Sequence, residues 1–313
     1  MDRLEAMSIL IAAVEAGSFS AASRKLGTPL PTISRKVADL EAHLNTRLLV
    51  RSTRKLALTD SGTAYLAACR RILEQVSEAE AEASGEYDVP RGELILSAPI
   101  VFGRLHVVPV INDFLANYPE INVRLVLTDR NVHLLDDHID MAARIGPLRD
   151  SRMIATRIGS VRRVVCGSPG YFSSHGVPAT PDDLSDLTCV TVSGLSSGPS
   201  WTFSTPGRGP VQATPPRCRL NVNTAEAAID SAIAGVGVTR VLSYQVARAV
   251  TEGQLLVVLD DFETEAIPVH LLHAGQGLLP LKTRRFLDFA VPRLRRALAG
   301  EADRSREPIG EGP

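Results

Sequence analysis

Residues 19–62 read FSAASRKLGTPLPTISRKVADLEAHLNTRLLVRSTRKLALTDSG, two short helical patterns joined by a tight turn and followed by a basic ribbon. Ser20 is placed to cap the first helix, with Ala21 and Leu26 as its inward residues and Gly27 as its end. Thr28 and Pro29 make the turn, and Pro31 suits the first turn of the next helix. There Ile33, Val37, Leu40 and Leu44 fall at i, i+4, i+7 and i+11, one apolar stripe for a core. A step of about 100° per residue sets Arg35 almost opposite that stripe. Ser34 and Ala38 flank Arg35 on one side, Thr32 and Lys36 on the other. Short side chains around one long forked donor let a helix backbone approach a major groove, and Arg matches guanine O6 and N7.

Charge points the same way. Between residues 24 and 55 stand Arg24, Lys25, Arg35, Lys36, Arg47, Arg51, Arg54 and Lys55 against only Asp39 and Glu41, while the whole chain carries a net −1. The positive charge is therefore concentrated where phosphates would be met. A solvated basic face on an ordinary helical subdomain is the competing reading of charge alone. From 48 to 58, apolar Leu48, Leu49, Val50, Leu56 and Leu58 bracket the polar tip Arg51–Ser52–Thr53–Arg54–Lys55, a wing able to lie along a phosphate backbone or probe the minor groove. A plain surface hairpin would carry the same pattern.

Residues 1–62 resemble the DNA-binding domain of the LysR-type transcriptional regulators. Phe19-Ser20-Ala21-Ala22, Leu26-Gly27, Ile33-Ser34-Arg35, Leu40-Glu41, Leu48-Leu49, Arg51 and Leu58-Thr59-Asp60-Ser61-Gly62 occur in that family's order and spacing. Where the family often has Ser-Gln before the recognition helix, this chain has Pro29-Leu30, and Leu30 cannot make an amide's base contact.

Beyond the wing, Thr59 is a cap for one long helix in which Tyr65, Leu66, Cys69, Ile72, Leu73, Val76 and Ala79 recur at spacings of three and four. A narrow apolar stripe with no local core to fold against usually pairs with a second copy, the alternative being a helix packed on its own protein. Its far end is acidic, with six acids against two bases over 61–90, and Pro90-Arg91-Gly92 close it. The resemblance makes this the dimerising linker helix.

From 92 onward strand and helix patterns alternate. Strands are expected at 93–97, 121–128, 139–145, 153–158, 163–167, 189–192, 219–221, 237–239, 255–259 and 269–273. Helices are expected at 99–118, 134–138, 169–175, 224–234, 243–252 and 279–298. This rhythm calls for mixed or parallel sheets with helices on both faces. The stretch 194–216 is rich in Gly, Pro and Ser and reads as a long loop with one strand at 201–203.

The resemblance extends over most of 92–295 and implies an effector-binding domain of two Rossmann-like lobes resembling a periplasmic binding protein. The fold class is thus α/β behind an N-terminal all-α winged helix-turn-helix and a long linker helix. The expected division is 1–60 for the winged helix-turn-helix, 61–90 for the linker and dimerisation helix, and 91–298 for the effector domain. Within it lobe I takes about 91–160 and 263–298 and lobe II about 161–262, leaving 299–313 as a disordered tail. By the same likeness the cleft uses Ser97, Pro99, Ile100 and Val101, opposite Arg144 and Gly146, with Val192, Ser193, Asn223, Thr224 and Thr239. Thr224 could cap its helix and present N–H groups to an anion. A cap or turn role fits each of these residues as well, and Arg144 could pair with a surface acid.

Enzyme signatures are weak or missing: no GxGxxG, Walker loop, GxSxG or HExxH occurs. His133 and His138 are five apart, off helical metal spacings, and Asp136, Asp137 and Asp140 read as solvated. Cys69, Cys166, Cys189 and Cys218 form no CxxC, so reduced cytoplasmic thiols are favoured over a redox switch. No secretory signal or uncharged membrane-length run is visible. No metal or cofactor is expected. The partners expected are double-stranded DNA, a small-molecule effector for which Arg144 and a helix N-terminus leave an anion open, and further copies of the chain, as a homodimer through the linker helix assembling to a homotetramer. The alternative from another class is a solute-binding or enzymatic α/β protein whose basic helical region serves assembly.

Overall fold

The computed structural model describes residues 2–51, 56–84, 89–130, 132–134, 137–148, 153–193, 201–205, 209–213, 217–274 and 279–304. The chain divides between Val89 and Pro90 into two compact units. Among the described residues no single helix is long and apolar enough to cross a membrane.

The first unit holds α1 (Arg3–Glu15), α2 (Phe19–Leu26), α3 (Leu30–Leu44), β1 (Leu49–Arg51), β2 (Leu56–Leu58) and α4 (Asp60–Ser84). Its core collects Leu10 and Ala13 of α1, Ile33, Val37 and Leu40 of α3, and Leu48 at the wing. The cap of α2 is Ser18, whose hydroxyl accepts from the Ala21 N–H at 3.1 Å, and not Ser20. Ala22 is the buried residue of that helix, while Ala21 is half-buried and Leu26 is 41% exposed. The inward stripe is therefore Phe19–Ala22–Ser23, and the Ser23 hydroxyl is used on the Thr28 carbonyl (2.6 Å) that closes the turn. Gly27, at φ +63°, ends α2 in the left-handed conformation that glycine adopts freely. Thr59 caps α4, accepting from the Gly62 N–H at 2.9 Å. The start of α4 does find a local core: Leu66 and Cys69 are buried against the helix-turn-helix, so the apolar stripe is not wholly unpartnered.

The second unit contains β3 (Gly92–Ala98), α5 (Ile100–Phe102), a π turn at Gly103–Val107, α6 (Val108–Asn117), β4 (Ile121–Leu127), β5 (Met141–Ile145) and β6 (Met153–Val161). There follow β7 (Arg163–Gly167), α7 (Pro169–His175), a 3-10 turn (Pro181–Asp186), β8 (Thr188–Val192), β9 (Trp201–Thr205), β10 (Gly209–Ala213) and β11 (Arg217–Val222). The chain closes with α8 (Ala225–Ile233), β12 (Val238–Leu242), α9 (Ser243–Thr251), β13 (Leu256–Val258), a 3-10 turn (Asp260–Phe262), β14 (Ile267–Ala274) and α10 (Leu281–Arg304).

Two five-stranded mixed sheets result, in the orders β4-β3-β5-β14-β6 and β11-β8-β12-β7-β13. In the first, β4, β3 and β5 run parallel while β14 is antiparallel to β5 and β6. In the second, β11, β8 and β12 are parallel, and β7 runs antiparallel to β12 and β13. The chain passes between the lobes at Arg162 and again between Phe262 and Ile267. Alternation sorts the cores: Val165 faces Tyr171, Phe172 and Trp201, whereas Val164 and Cys166 face Ile229 and Val246 on the other side.

Several expectations need correcting. The helix expected over 99–118 runs from Ile100 to Asn117 with a π turn in its middle, just ahead of Pro109, which has no N–H to give the preceding turn. Of the helix expected at 134–138, Leu134, Asp137 and His138 are described and lie in turns, His138 at φ +55°, and 135 and 136 lie outside the described residues; Leu134 and Ile139 are buried on the second face of lobe I. Asp140 is not solvated; its carboxylate accepts the Ile95 N–H at 2.8 Å. Asp137 is exposed, as expected, and its carboxylate accepts from the His133 N–H at 2.8 Å; Asp136 lies outside the described residues. The 201–203 strand has a partner in β10, pairing Val211 with Phe203, so part of the loop is a hairpin; 194–200, 206–208 and 214–216 lie outside the described residues. α10 runs to Arg304, six residues past the 298 expected, and the tail from 305 on lies outside the described residues.

Candidate nucleic-acid interface and ligand cleft

In the first unit the buried stripe of α3 fixes what its other side shows. With Ile33, Val37 and Leu40 inside, Arg35 is exposed, and Thr32, Ser34 and Ala38 are half-buried around it. Lys36 is also half-buried, because its ammonium pairs with the Glu5 carboxylate of α1. Leu30, at the start of α3, is exposed. Arg24 and Arg47 add exposed cations, while Lys25 pairs with Glu15 at 3.4 Å. Arg51 closes β1 opposite Leu56; its side chain, with Arg54 and Lys55, lies outside the described residues.

The wing is held to the recognition helix by groups the sequence motifs contain. The Glu41 carboxylate accepts from the N–H groups of Leu48 (2.8 Å) and Leu49 (3.0 Å), fixing where the ribbon leaves α3. The Thr59 hydroxyl donates to the Arg47 carbonyl at 2.8 Å, and the Thr59 N–H donates to the Leu48 carbonyl at 3.0 Å. A Cβ at position 62 would stand 1.9 Å from that Leu48 carbonyl oxygen, so only glycine lets α4 pass the wing this closely. These bonds tie the described strands of the wing, Leu49–Arg51 and Leu56–Leu58, to α3 and α4.

In the second unit the expected cleft residues divide into two groups. Val101 is buried in the core of lobe I and Thr239 is fully buried, its hydroxyl donated to the Val190 carbonyl at 3.0 Å. Their side chains support the sheets. Ser97 is buried at the end of β3, and Pro99 leads into α5, whose Ile100 N–H donates to the Asp129 carboxylate at 3.1 Å. Arg144 is half-buried and donates to the Val132 carbonyl at 2.5 Å; burial lowers its pKa. Gly146, at φ +119°, donates its N–H to the Pro268 carbonyl. In lobe II the register that sets Val222 beside Val192 brings Ser193 next to Asn223, and both the N–H and the hydroxyl of Ser193 donate to the Val222 carbonyl. Thr224 caps α8, accepting from the Ala227 N–H at 3.3 Å.

Three contacts between the lobes escaped sequence reasoning. Arg104 pairs with Glu226 at 3.1 Å, linking the π turn to the first turn of α8. Phe102 and His106 pack on Tyr244 of α9, ring centroids 5.6 Å away in both cases. At the crossing itself Arg162 and Glu263 form a largely buried pair at 2.8 Å, and burial, ahead of the opposing pull of Arg162, raises the Glu263 carboxyl. The one available signal was position: each lies beside a strand end, where open α/β sheets place ligands. Asp129, directly after β4, carried the same signal.

Comparison with known proteins bears on both units. The model of the LysR substrate binding domain matches residues 88–295, and that of the bacterial regulatory helix-turn-helix protein, lysR family, matches residues 4–63. The chain is 36% identical over 294 residues to an HTH-type transcriptional repressor of Pseudomonas aeruginosa, covering 93% of this chain and 92% of that protein. It is 30% identical over 284 residues to the HTH-type transcriptional activator AaeR of Escherichia coli, covering 91% of each. Among solved structures, the full-length virulence activator AphB of Vibrio cholerae superposes with a TM-score of 0.59 at 29% identity, covering 92% of this chain and 98% of that one. CrgA, a LysR-type transcriptional regulator from Neisseria meningitidis, gives 0.59 at 28% identity, covering 93% and 98%.

Proposed function

The chain belongs to the LysR family of bacterial helix-turn-helix regulatory proteins, and on that premise we propose that α3 reads a specific duplex through Thr32, Ser34, Arg35, Lys36 and Ala38. It is a DNA-binding transcriptional regulator whose activity is modulated by a small molecule held by its two α/β lobes. The observation that carries the reading face is the exposed Arg35 guanidinium, set opposite a fully buried stripe and ringed by short side chains. Arg51, Arg54 and Lys55 of the wing supply phosphate or minor-groove contacts. Lys36 engages DNA only by leaving Glu5, so its contribution is smaller than that of Arg35. Pro29-Leu30 shifts site preference away from relatives that carry an amide there. Residues 1–60 are the reading domain and 91–298 the sensing domain, with lobes divided near 160 and 263.

Residues 61–90 join two copies through α4, where Ile72 is 38% exposed on a stripe whose earlier members are buried. Pairing of dimers into a tetramer lets two half-sites be bridged. The effector sits between the lobes, against Ser97, Pro99, Ile100, Arg144 and Gly146 on one side and Val192, Ser193, Asn223 and Thr224 on the other. An anionic effector competes with Glu226 for Arg104 and for the N-terminus of α8. Acting on DNA, the protein works in the cytoplasm.

Selection from a pool of random duplexes tests the reading. Enrichment of one site with two-fold related halves is expected, since a symmetric dimer presents two reading helices. A pool that stays random after repeated rounds would remove the regulator reading. Coupling is tested separately, by whether a candidate effector that binds also alters the footprint length.

A further inference from the structure

Two of the four cysteines face each other across neighbouring strands. Cys218 of β11 pairs in register with Cys189 of β8, and the strands run parallel, so both side chains leave the same face of the sheet. Adjacent strands stand about 4.8 Å apart, within the Cα separation of roughly 4.4–6.8 Å that a disulfide spans. The thiols are already in hydrogen-bonding contact; burial first, then the charge and hydrogen bond of Cys218, push the Cys189 thiol up to about 12. Cys189 is fully buried, whereas Cys218 is exposed on the edge strand.

The surroundings of Cys218 suit a reacting sulfur. Asn221 donates to the Thr191 hydroxyl at 2.7 Å, which leaves that hydroxyl to donate to the Cys218 sulfur at 3.2 Å. The register of β11 slips between Cys218 and Leu220, so the backbone on that side has slack to close a bond. Cys69 and Cys166 are buried, Cys69 in the other unit and Cys166 two strands away in β7.

We propose that Cys189 and Cys218 are a redox modification site, joined reversibly by a disulfide when a hydroperoxide oxidises Cys218. The Cys218 sulfur attacks the near oxygen of the peroxide; the O–O bond breaks, giving Cys218 sulfenic acid and releasing an alcohol, or water from hydrogen peroxide. The Cys189 sulfur then attacks the Cys218 sulfur, the S–O bond breaks, and the Cys189 proton leaves with the hydroxyl as water. Two thiols lose two electrons and the peroxide gains them. Because Cys189 resists ionisation, the second step is the slow one. The bond ties β11 to β8 just before Ser193 and Asn223, so it stiffens the lobe II rim to which an effector is assigned above. Only this last consequence rests on the regulator reading.

The test uses the reduced full chain and hydrogen peroxide as the probe, followed by alkylation, digestion without reductant and peptide mass analysis. A peptide pair joining 189 to 218, two hydrogens lighter than its parts and lost with dithiothreitol, is expected. It is absent from Cys218→Ser, an exposed change that leaves the core intact. In Cys189→Ser a 1,3-dione trap labels Cys218 sulfenic acid. Hydrogen exchange at β11 amides slows several-fold in the oxidised wild type. Cys218 passing to sulfinic acid, linking only between chains, or staying unoxidised in wild type would overturn the proposal, as would unchanged exchange in the linked form. Duplex selection is unaffected by any of these outcomes, so failure here leaves the regulator reading standing.

Discussion

At the N-terminus of α2, Ser18 accepts the Ala21 N–H while Ser20, two positions on, is exposed inside the helix. Replacing Ser18 by Ala therefore costs about 1 kcal/mol of stability, and Ser20→Ala stays within about 0.5 kcal/mol; urea unfolding of the two variants measures the difference. Ser18 has the same capping chemistry as the Ser20 expected from the sequence, and the cap falls on Ser18 because Phe19 and Ala22 already lie in the helix and turn toward the core. Arg35 was legible for the opposite reason. Its stripe partners Ile33, Val37 and Leu40 are all apolar, and helical geometry alone sets it outside. The Lys36–Glu5 pair was hidden, since it joins positions thirty-one apart on different helices. Thr239 looked like a ligand residue at a strand end, but its hydroxyl serves the neighbouring strand's carbonyl.

The wing and α4 behave as one element pair, because Thr59 caps α4 while binding the Arg47 and Leu48 carbonyls. Gly62→Ala drives a methyl into the Leu48 carbonyl. The predicted cost is about 3 kcal/mol or more, at the upper end of overpacking effects. Thermal unfolding of the first unit and duplex affinity should fall together, because the clash displaces the wing from α3. Element types were readable wherever apolar periodicity ran long, as in β3, β4 and α8. They were not readable in β10, whose Gly209 and Pro210 look like loop and which becomes a strand by pairing with β9. At 134–138 the described residues Leu134, Asp137 and His138 lie in turns where a helix was expected, with His138 at φ +55°.

On the scale of the whole molecule, the contacts between the lobes join residues far apart in the chain. His106, packed on Phe102 and Tyr244, is buried, and burial lowers its pKa from 6.5 to about 4. The unfolded chain takes up a proton near 6.5 that the folded chain resists, so this contribution is complete above 6.5 and is lost as pH falls towards 4. At about 1.4 kcal/mol per unit, the loss at the acid end is on the order of 3 kcal/mol. His106→Leu should flatten that slope in unfolding experiments between those values, apart from a constant packing offset; an unchanged slope would remove His106 as its source. Such contacts link residues far apart in the chain, and no single-sequence pattern marks them. The central claim remains that α3 reads DNA through Arg35. It is tested by the ratio of affinities for a selected duplex and a random one, in wild type and in Arg35→Ala, at one salt concentration. Loss of discrimination worth about 1–3 kcal/mol, with random-duplex affinity falling much less, is the predicted result. Unchanged discrimination in a well-folded Arg35→Ala protein would contradict it.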